Sequence, residues 1–237
     1  AAVYRELSEE IRYESIAADG VRVNAGAVLS RVSGPLRLLL SGERVALNFL
    51  QRLCGIATLT ADVVSRVEGS GVRILDTRKT TPGWRELEKY AVKTGGGVNH
   101  RRGLFDAVLI KNNHIDALGG DIARAVRCCR EKVQAGIKVE VEVRNEAELG
   151  KAMEGRPDAI LLDNISPEEI AQAVQLVRAQ AHGADIELEA SGGIDEQNVA
   201  IYARTGIDSI SLGMLTHSVR ASDIALRYEG AAAEQSG

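Results

Sequence analysis

A chain of 237 residues with 45% apolar content is long enough to bury one barrel-sized core, or a barrel with a small companion. Only 3% of its residues are aromatic and its pI is near 5.7, which argues against a stacking groove for single-stranded nucleic acid and against duplex binding. No apolar stretch approaches a membrane span, the first residues do not read as a signal peptide, and Cys54, Cys128 and Cys129 have neither zinc nor disulfide spacing, so a reduced cytoplasmic setting is expected.

Residues 1–40 alternate short apolar pieces with turns such as Ala18-Asp19-Gly20 and Ser33-Gly34-Pro35. Val21–Val23 and Val28–Val32 alternate apolar and polar residues and predict short strands of a small sheet. Ser41 reads as an N-cap, and apolar residues at helical spacing from Arg44 to Val67 predict a long linking helix interrupted at Gly55. Residues 1–67 are thus expected to form a shortened N-terminal α+β sandwich domain with its linking helix, and residues 68–237 an α/β-barrel domain.

In that second domain six strand-like runs follow one another: Val72–Leu75, Ala107–Ile110, Val139–Val143, Ala159–Leu162, Ile186–Ala190 and Ser209–Leu212. Helical stretches separate them, with Ser166-Pro167-Glu168-Glu169 supplying a capping box and Gly206 a left-handed stop. Alternating strands and helices imply parallel pairing. Six runs are too few for a closed eight-stranded barrel, so an incomplete, six- or seven-stranded parallel α/β barrel is expected. The tail after Gly230 is expected to be loose.

The strand ends carry the chemistry. In order they are Asp76-Thr77-Arg78-Lys79, Lys111-Asn112-Asn113-His114, Glu142, Asp163-Asn164, Ser191-Gly192-Gly193 and Gly213. A parallel barrel aims all of them at one rim. Between Asp76 and His114 eight Lys/Arg meet four acids, a window of +4 in a chain whose net charge is −4. A local excess of cations in an acidic chain predicts a small polyanionic ligand. Arg78, His100, Arg101 and Lys111 would suit a ligand with two carboxylates, or a carboxylate beside a phosphate. The glycines of Ser191-Gly192-Gly193 and Gly213 read either as turns or as a phosphate cradle. Glu140 and Glu142 lie two apart on one strand and so face the same side. With Asp163 they could hold Mg²⁺, pair with Lys79 and Lys111, or do both.

Three long motifs carry a resemblance. They are Asp76-Thr77-Arg78-Lys79-Thr80-Thr81-Pro82-Gly83, then Gly95-Gly96-Gly97-Val98-Asn99-His100-Arg101-Arg102-Gly103-Leu104, then Ile110-Lys111-Asn112-Asn113-His114-Ile115. With Glu189-Ala190-Ser191-Gly192-Gly193-Ile194 and Leu212-Gly213-Met214-Leu215-Thr216-His217-Ser218, they resemble the nicotinate-nucleotide pyrophosphorylase family, also called quinolinate phosphoribosyltransferase. The resemblance implies a decarboxylating, Mg²⁺-dependent transfer between quinolinate and phosphoribosyl pyrophosphate in NAD biosynthesis. It assigns Arg78, His100, Arg101 and Lys111 to quinolinate, and Arg44 to the site of a neighbouring subunit. Lys79, Glu142, Asp163, Ser191, Gly192, Gly193, Gly213 and His217 fall to phosphoribosyl pyrophosphate and its metal, with Glu142 and Asp163 as the metal carboxylates. Lys79, Lys111, Glu142 and Asp163 are the expected catalytic set. A homodimer with shared sites, or a hexamer of dimers, is implied.

Other readings are weaker. A nicotinate phosphoribosyltransferase would need fewer cations for one carboxylate. A molybdate-transport paralogue does not call for the Arg78, His100, Arg101 and Lys111 set. A phosphosugar isomerase or aldolase would place one activated group in a dry pocket. A lipoyl- or biotinyl-carrier module needs a hairpin lysine, and no lysine precedes Lys79.

Overall fold

The computed structural model describes residues 1–230, so the tail expected to be loose lies outside the described residues. The chain divides into two compact units, Ala1–Gly55 with the segment that starts at Arg220, and Ile56–Val219. No helix among the described residues is long and apolar enough to cross a membrane.

The first unit holds α1 (Ala2–Leu7), the antiparallel strands β1 (Arg12–Ser15) and β2 (Ser30–Ser33), and the start of α2 (Leu36–Arg66). Val21–Val23 is not a strand. Arg12–Ser15 pairs with β2 instead, and all four of its residues are exposed, so no burial pattern marks it in the sequence. Helix α2 begins earlier than predicted, with Leu38 and Leu39 donating to the Pro35 carbonyl at 2.9 and 3.1 Å. Ser41 is therefore inside the helix, and its hydroxyl donates back to Arg37 O at 2.8 Å rather than capping an end.

Gly55 does not interrupt α2. A Cβ there would stand 2.2 Å from Arg220 O, so glycine is what admits the returning C-terminal segment. That segment is tied down by Ser222 N–H to Gln51 O (2.9 Å) and Gln51 Nε2 to Ile224 O (2.7 Å). The predicted boundary after residue 67 marks the end of α2, whereas the compact division falls inside the helix. A continuous helix carries no composition break where the division lies.

The second unit is built on six parallel strands: β3 (Arg73–Leu75), β4 (Ala107–Ile110), β5 (Lys138–Val143), β6 (Ala159–Asp163), β7 (Glu187–Ser191) and β8 (Ser209–Ser211). Their hydrogen-bonded order is β3-β8-β7-β6-β5-β4, and Val98 adds one parallel bridge to Leu75. This is the open, incomplete α/β barrel the strand count implied, with β3 and β4 at the two ends of the order. Crossovers are made by α3 (Arg85–Thr94), α4 (Asn112–Ala117), α5 (Ile122–Lys132), α6 (Glu146–Gly155), α7 (Pro167–Arg178) and α8 (Val199–Tyr202), and α9 (Met214–His217) follows β8. The Ser166/Glu169 capping box is formed at α7, and Gly206 turns left-handed at φ 85°.

Register sets which side chains share a face. On β5, Val139, Val141 and Val143 are completely buried on the helix side, leaving Lys138, Glu140 and Glu142 on the other. The pairs Glu140↔Ala159, Ala159↔Glu187, Leu161↔Glu189, Asp163↔Ser191 and Ser191↔Ser211 place those residues on the same inner face. Polar groups on that face come in layers. Arg73 and Lys138 both pair with Glu187, at 2.6 and 3.2 Å, near the strand starts. Glu140 and Glu189 both approach His100, and Glu142, Asp163, Ser191 and Ser211 are the last inward-facing residues of β5, β6, β7 and β8.

Candidate active site

The loops after β3 and before β4 carry most of the cations, and a buried ion pair holds them. Asp76, the first residue after β3, and Lys89 on α3 pair with no solvent access to either side chain. Asp76 also accepts His100 N–H and Asn99 Nδ2, both at 2.8 Å, and Lys89 Nζ donates to His100 O at 2.9 Å. Burial pushes the Asp76 carboxyl pKa up, against the lowering by Lys89, His100 N–H and Asn99. Arg85 staples the two loops further, donating to Thr80 Oγ1 (3.1 Å), Arg78 O (3.2 Å) and Arg102 O (2.9 Å). Asp106 closes the turn by accepting the N–H groups of Arg102 and Gly103 at 2.6 and 3.0 Å.

Arg78 and Arg101 are brought together on this frame. Burial lowers the Arg101 pKa first, and the neighbouring Arg78 charge lowers it further, while Glu140 and Asp106 oppose both. Two guanidinium groups in mutual repulsion are a ready receptor for an anion. Lys111, at the end of β4, instead reaches Glu142 at 2.7 Å, with its own side chain half exposed. The salt-bridge reading of Glu142 therefore holds for Lys111. Lys79 makes no ion pair among the described residues and lies elsewhere on the rim.

His100 departs from the rim. Its Nε2 stands 3.4 Å from Glu140 Oε2 and 3.3 Å from Glu189 Oε2, and its Nδ1 accepts Arg101 N–H at 2.7 Å. Both ring nitrogens face the protein, and Nε2 is turned to the inner carboxylates instead of to the rim. Burial favours the neutral ring, but the two glutamates outweigh it and take the His100 pKa up to about 10. Glu140 is pushed up as well, by burial first, against the opposing pull of His100.

Between β3 and β5 in the strand order, the rim is built from β8, β7 and β6. Ser211 Oγ donates to Ser191 Oγ at 2.9 Å, and Asn164 Nδ2 donates to Asp163 Oδ2 at 2.8 Å. Gly192 is left-handed at φ 87°, and a Cβ there would collide with the Asn164 amide at 2.4 Å. A Cβ on Gly213 would sit 2.9 Å from His217 Nε2 and 3.1 Å from Lys79 Cδ. Thr216 Oγ1 donates to Lys79 O at 2.8 Å. Lys79, Gly213 and His217 therefore converge, although 138 positions of sequence separate the first from the last.

Glu142 and Asp163 share the inner face, but among the described residues the side chains that close to ligand distance are His100, Glu140 and Glu189. Arg44 is exposed on α2 in the first unit. Sequence reasoning assigned no role to Glu189, Lys89, Arg85 or Ser211, and noted Asp76 only as a strand end. Only Glu189 left a signal, as an acid inside the apolar run Ile186–Ala190, the pattern that marked Glu140 and Glu142.

Residues 1–54 match the family model of the quinolinate phosphoribosyl transferase N-terminal domain, and residues 56–227 that of its C-terminal domain. The chain belongs to the quinolinate phosphoribosyl transferase family. It is 42% identical to the probable nicotinate-nucleotide pyrophosphorylase [carboxylating] of Bacillus subtilis, over 95% of this chain and 78% of that protein. It is 39% identical to the human nicotinate-nucleotide pyrophosphorylase [carboxylating], over 95% of this chain and 75% of the relative. The crystal structure of the Ehrlichia chaffeensis nicotinate-nucleotide pyrophosphorylase superposes with a TM-score of 0.87 at 38% identity, covering 94% of this chain and 79% of that one. The Francisella tularensis structure gives 0.85 at 42% identity, covering 93% and 76%. The open barrel and rim described above are thus those of a quinolinate phosphoribosyl transferase. Along the chain, the change from the N- to the C-terminal family domain falls at the same place as the change between compact units, at Gly55 and Ile56.

Proposed function

We propose that the protein joins quinolinate to phosphoribosyl pyrophosphate, giving nicotinate mononucleotide, CO₂ and pyrophosphate, in a cytoplasmic setting where its three cysteines stay as free thiols. The observation that carries the reading is the meeting of two kinds of group at the rim. Arg78 and Arg101 lie close enough for their charges to oppose one another, and next to Arg78 in sequence Lys79 reaches Gly213 and His217 beyond the neighbouring strand β8. Paired guanidinium groups suit a pyridine dicarboxylate, and the glycine side suits a sugar phosphate.

Arg78, Arg101 and Lys111 would hold the carboxylates and aim the ring nitrogen at the ribose carbon, so that positioning supplies much of the rate. Lys79 would take up charge on the departing pyrophosphate. Bond formation leaves the ring nitrogen positive, and it accepts the electron pair left on the adjacent carbon as CO₂ departs. A proton then replaces CO₂ at that carbon, and no organic cofactor is needed. His100, with both nitrogens occupied, would position Arg101 rather than grip substrate.

The hard oxygens of Asp163 and Glu142 fit Mg²⁺ alongside a diphosphate. Among the described residues Asp163 is bound only by a neutral amide, whereas Glu142 is already compensated by Lys111, so Asp163 is the freer ligand. When bound, Mg²⁺ would supply charge neutralisation at the pyrophosphate. Arg44 would complete the site of a neighbouring subunit in a homodimer, alone or within a hexamer.

The test is a product assay. Purified protein is offered phosphoribosyl pyrophosphate and Mg²⁺ with quinolinate or with nicotinate. The reading requires nicotinate mononucleotide and one CO₂ per turnover from quinolinate. Turnover of nicotinate alone, without CO₂, would sink it.

A further inference from the structure

Two cations on one face of α3 reach the loops that carry Arg78 and Arg101. Lys89 pairs with Asp76 and donates to His100 O at 2.9 Å. One helical turn earlier, Arg85 directs all three of its guanidinium nitrogens at the same two loops. Its Nε donates to Thr80 Oγ1 at 3.1 Å, one terminal nitrogen to Arg78 O at 3.2 Å and the other to Arg102 O at 2.9 Å.

Arg101 is therefore held through the carbonyls on both sides of it, that of His100 by Lys89 and that of Arg102 by Arg85. Arg78 is held through its own carbonyl by the same guanidinium. One rigid, planar group thus ties the backbone of Arg78 to the residue next to Arg101.

A strut is needed at this point. The charges of Arg78 and Arg101 oppose each other, so on their own the two would part. Carboxylates on neighbouring ring carbons call for two guanidinium groups close together, and carboxylates further apart do not. Glu86 also meets the Arg102 side chain, at 3.7 Å, but that pair is exposed and holds little. Lys79 has an anchor of its own, since Thr216 Oγ1 donates to its carbonyl at 2.8 Å.

We propose that Arg85 is a positioning residue that sets the spacing of Arg78 and Arg101, and through it the preference of the rim for dicarboxylates whose two groups stand on adjacent ring carbons. The inference rests on the reading of Arg78 and Arg101 as the quinolinate receptor. Lysine at this place keeps the charge but not the span, because an ammonium is a single point with no fork to bridge acceptors on two loops.

The test is calorimetry on the full chain with phthalate and isophthalate, flat dicarboxylates whose groups are adjacent in the first and one carbon further apart in the second. Neither has a ring nitrogen, so neither reacts. The unaltered protein should prefer phthalate. Arg85→Ala and Arg85→Lys should each lose most of that preference and still bind phosphoribosyl pyrophosphate with Mg²⁺. Both should lower kcat/KM for quinolinate about a hundredfold, as a misplacement of about 1 Å does. An Arg85→Lys chain that keeps the preference and the rate would overturn the inference, because charge alone would then suffice. A folded variant that loses phosphoribosyl pyrophosphate in step with phthalate would overturn it too, since Arg85 would then support the whole rim. Should Arg85→Ala fail to fold, Arg85→Lys decides alone. No preference for phthalate in the unaltered protein would strike the quinolinate receptor itself, whereas an unchanged preference in the variants strikes only the role of Arg85.

Discussion

Lys89 and Asp76 form an ion pair from which water is wholly excluded, and through it α3 holds the loop that carries His100 and Arg101. The pair is structural, but what it positions is functional. Removing one partner leaves the other as an uncompensated buried charge.

Lys89→Met is therefore expected to lose about 3–5 kcal/mol of stability in urea unfolding. The double variant Lys89→Met/Asp76→Asn should be more stable than the single one, because no unpaired charge remains. If Lys89→Met unfolds like the unaltered protein, the pair does not hold the loop.

The His100 cluster gives a pH dependence of definite sign. The folded His100 pKa is about 10 against an ordinary histidine value of 6.5, and Glu140 is also raised. Groups raised on folding stabilise most fully below their unfolded pKa and lose that contribution as pH rises through the folded value. Stability should fall between pH 6.5 and about 10, by at most about 1.4 kcal/mol per pH unit from this source. His100→Asn should flatten that slope in denaturant midpoints measured across the range. A slope that survives the substitution would place its origin elsewhere.

Arg101→Ala should raise KM for quinolinate about 10- to 100-fold, the equivalent of one or two charge-assisted hydrogen bonds. KM for phosphoribosyl pyrophosphate should change far less. Arg130 pairs with Asp158 on the exposed surface, and Arg130→Ala serves as the control that leaves both constants in place.

Gly213→Ala tests the phosphate side. The added methyl would press His217 and Lys79, so binding of phosphoribosyl pyrophosphate should weaken about tenfold or more, while quinolinate binding persists. Equilibrium binding of each substrate separates the two, and equal losses of both would show a general disturbance of the rim.

Mixing an Arg44→Ala chain with an Arg101→Ala chain should restore part of the activity that each lacks alone, if Arg44 serves a neighbouring subunit. Subunit exchange followed by the CO₂ assay reads this directly. No recovery in exchanged mixtures would confine Arg44 to its own chain.

The six strands, their parallel pairing and the polar residue at nearly every strand end were legible in the sequence, because alternation, capping and turn chemistry are local. The cation excess between Asp76 and His114 was legible for the same reason, as was the same-side placement of Glu140 and Glu142. The start of α2 and the exposed strand β1 were not, since neither has a burial pattern of its own. Only the tertiary structure decided that His100 turns inward to Glu140 and Glu189, that Lys111 takes Glu142, and that Thr216 holds Lys79. Each of those is a contact between distant elements whose partner is set by sheet register and loop closure. A side chain's type announces what it can bind, and the fold decides which opposite charge it reaches first.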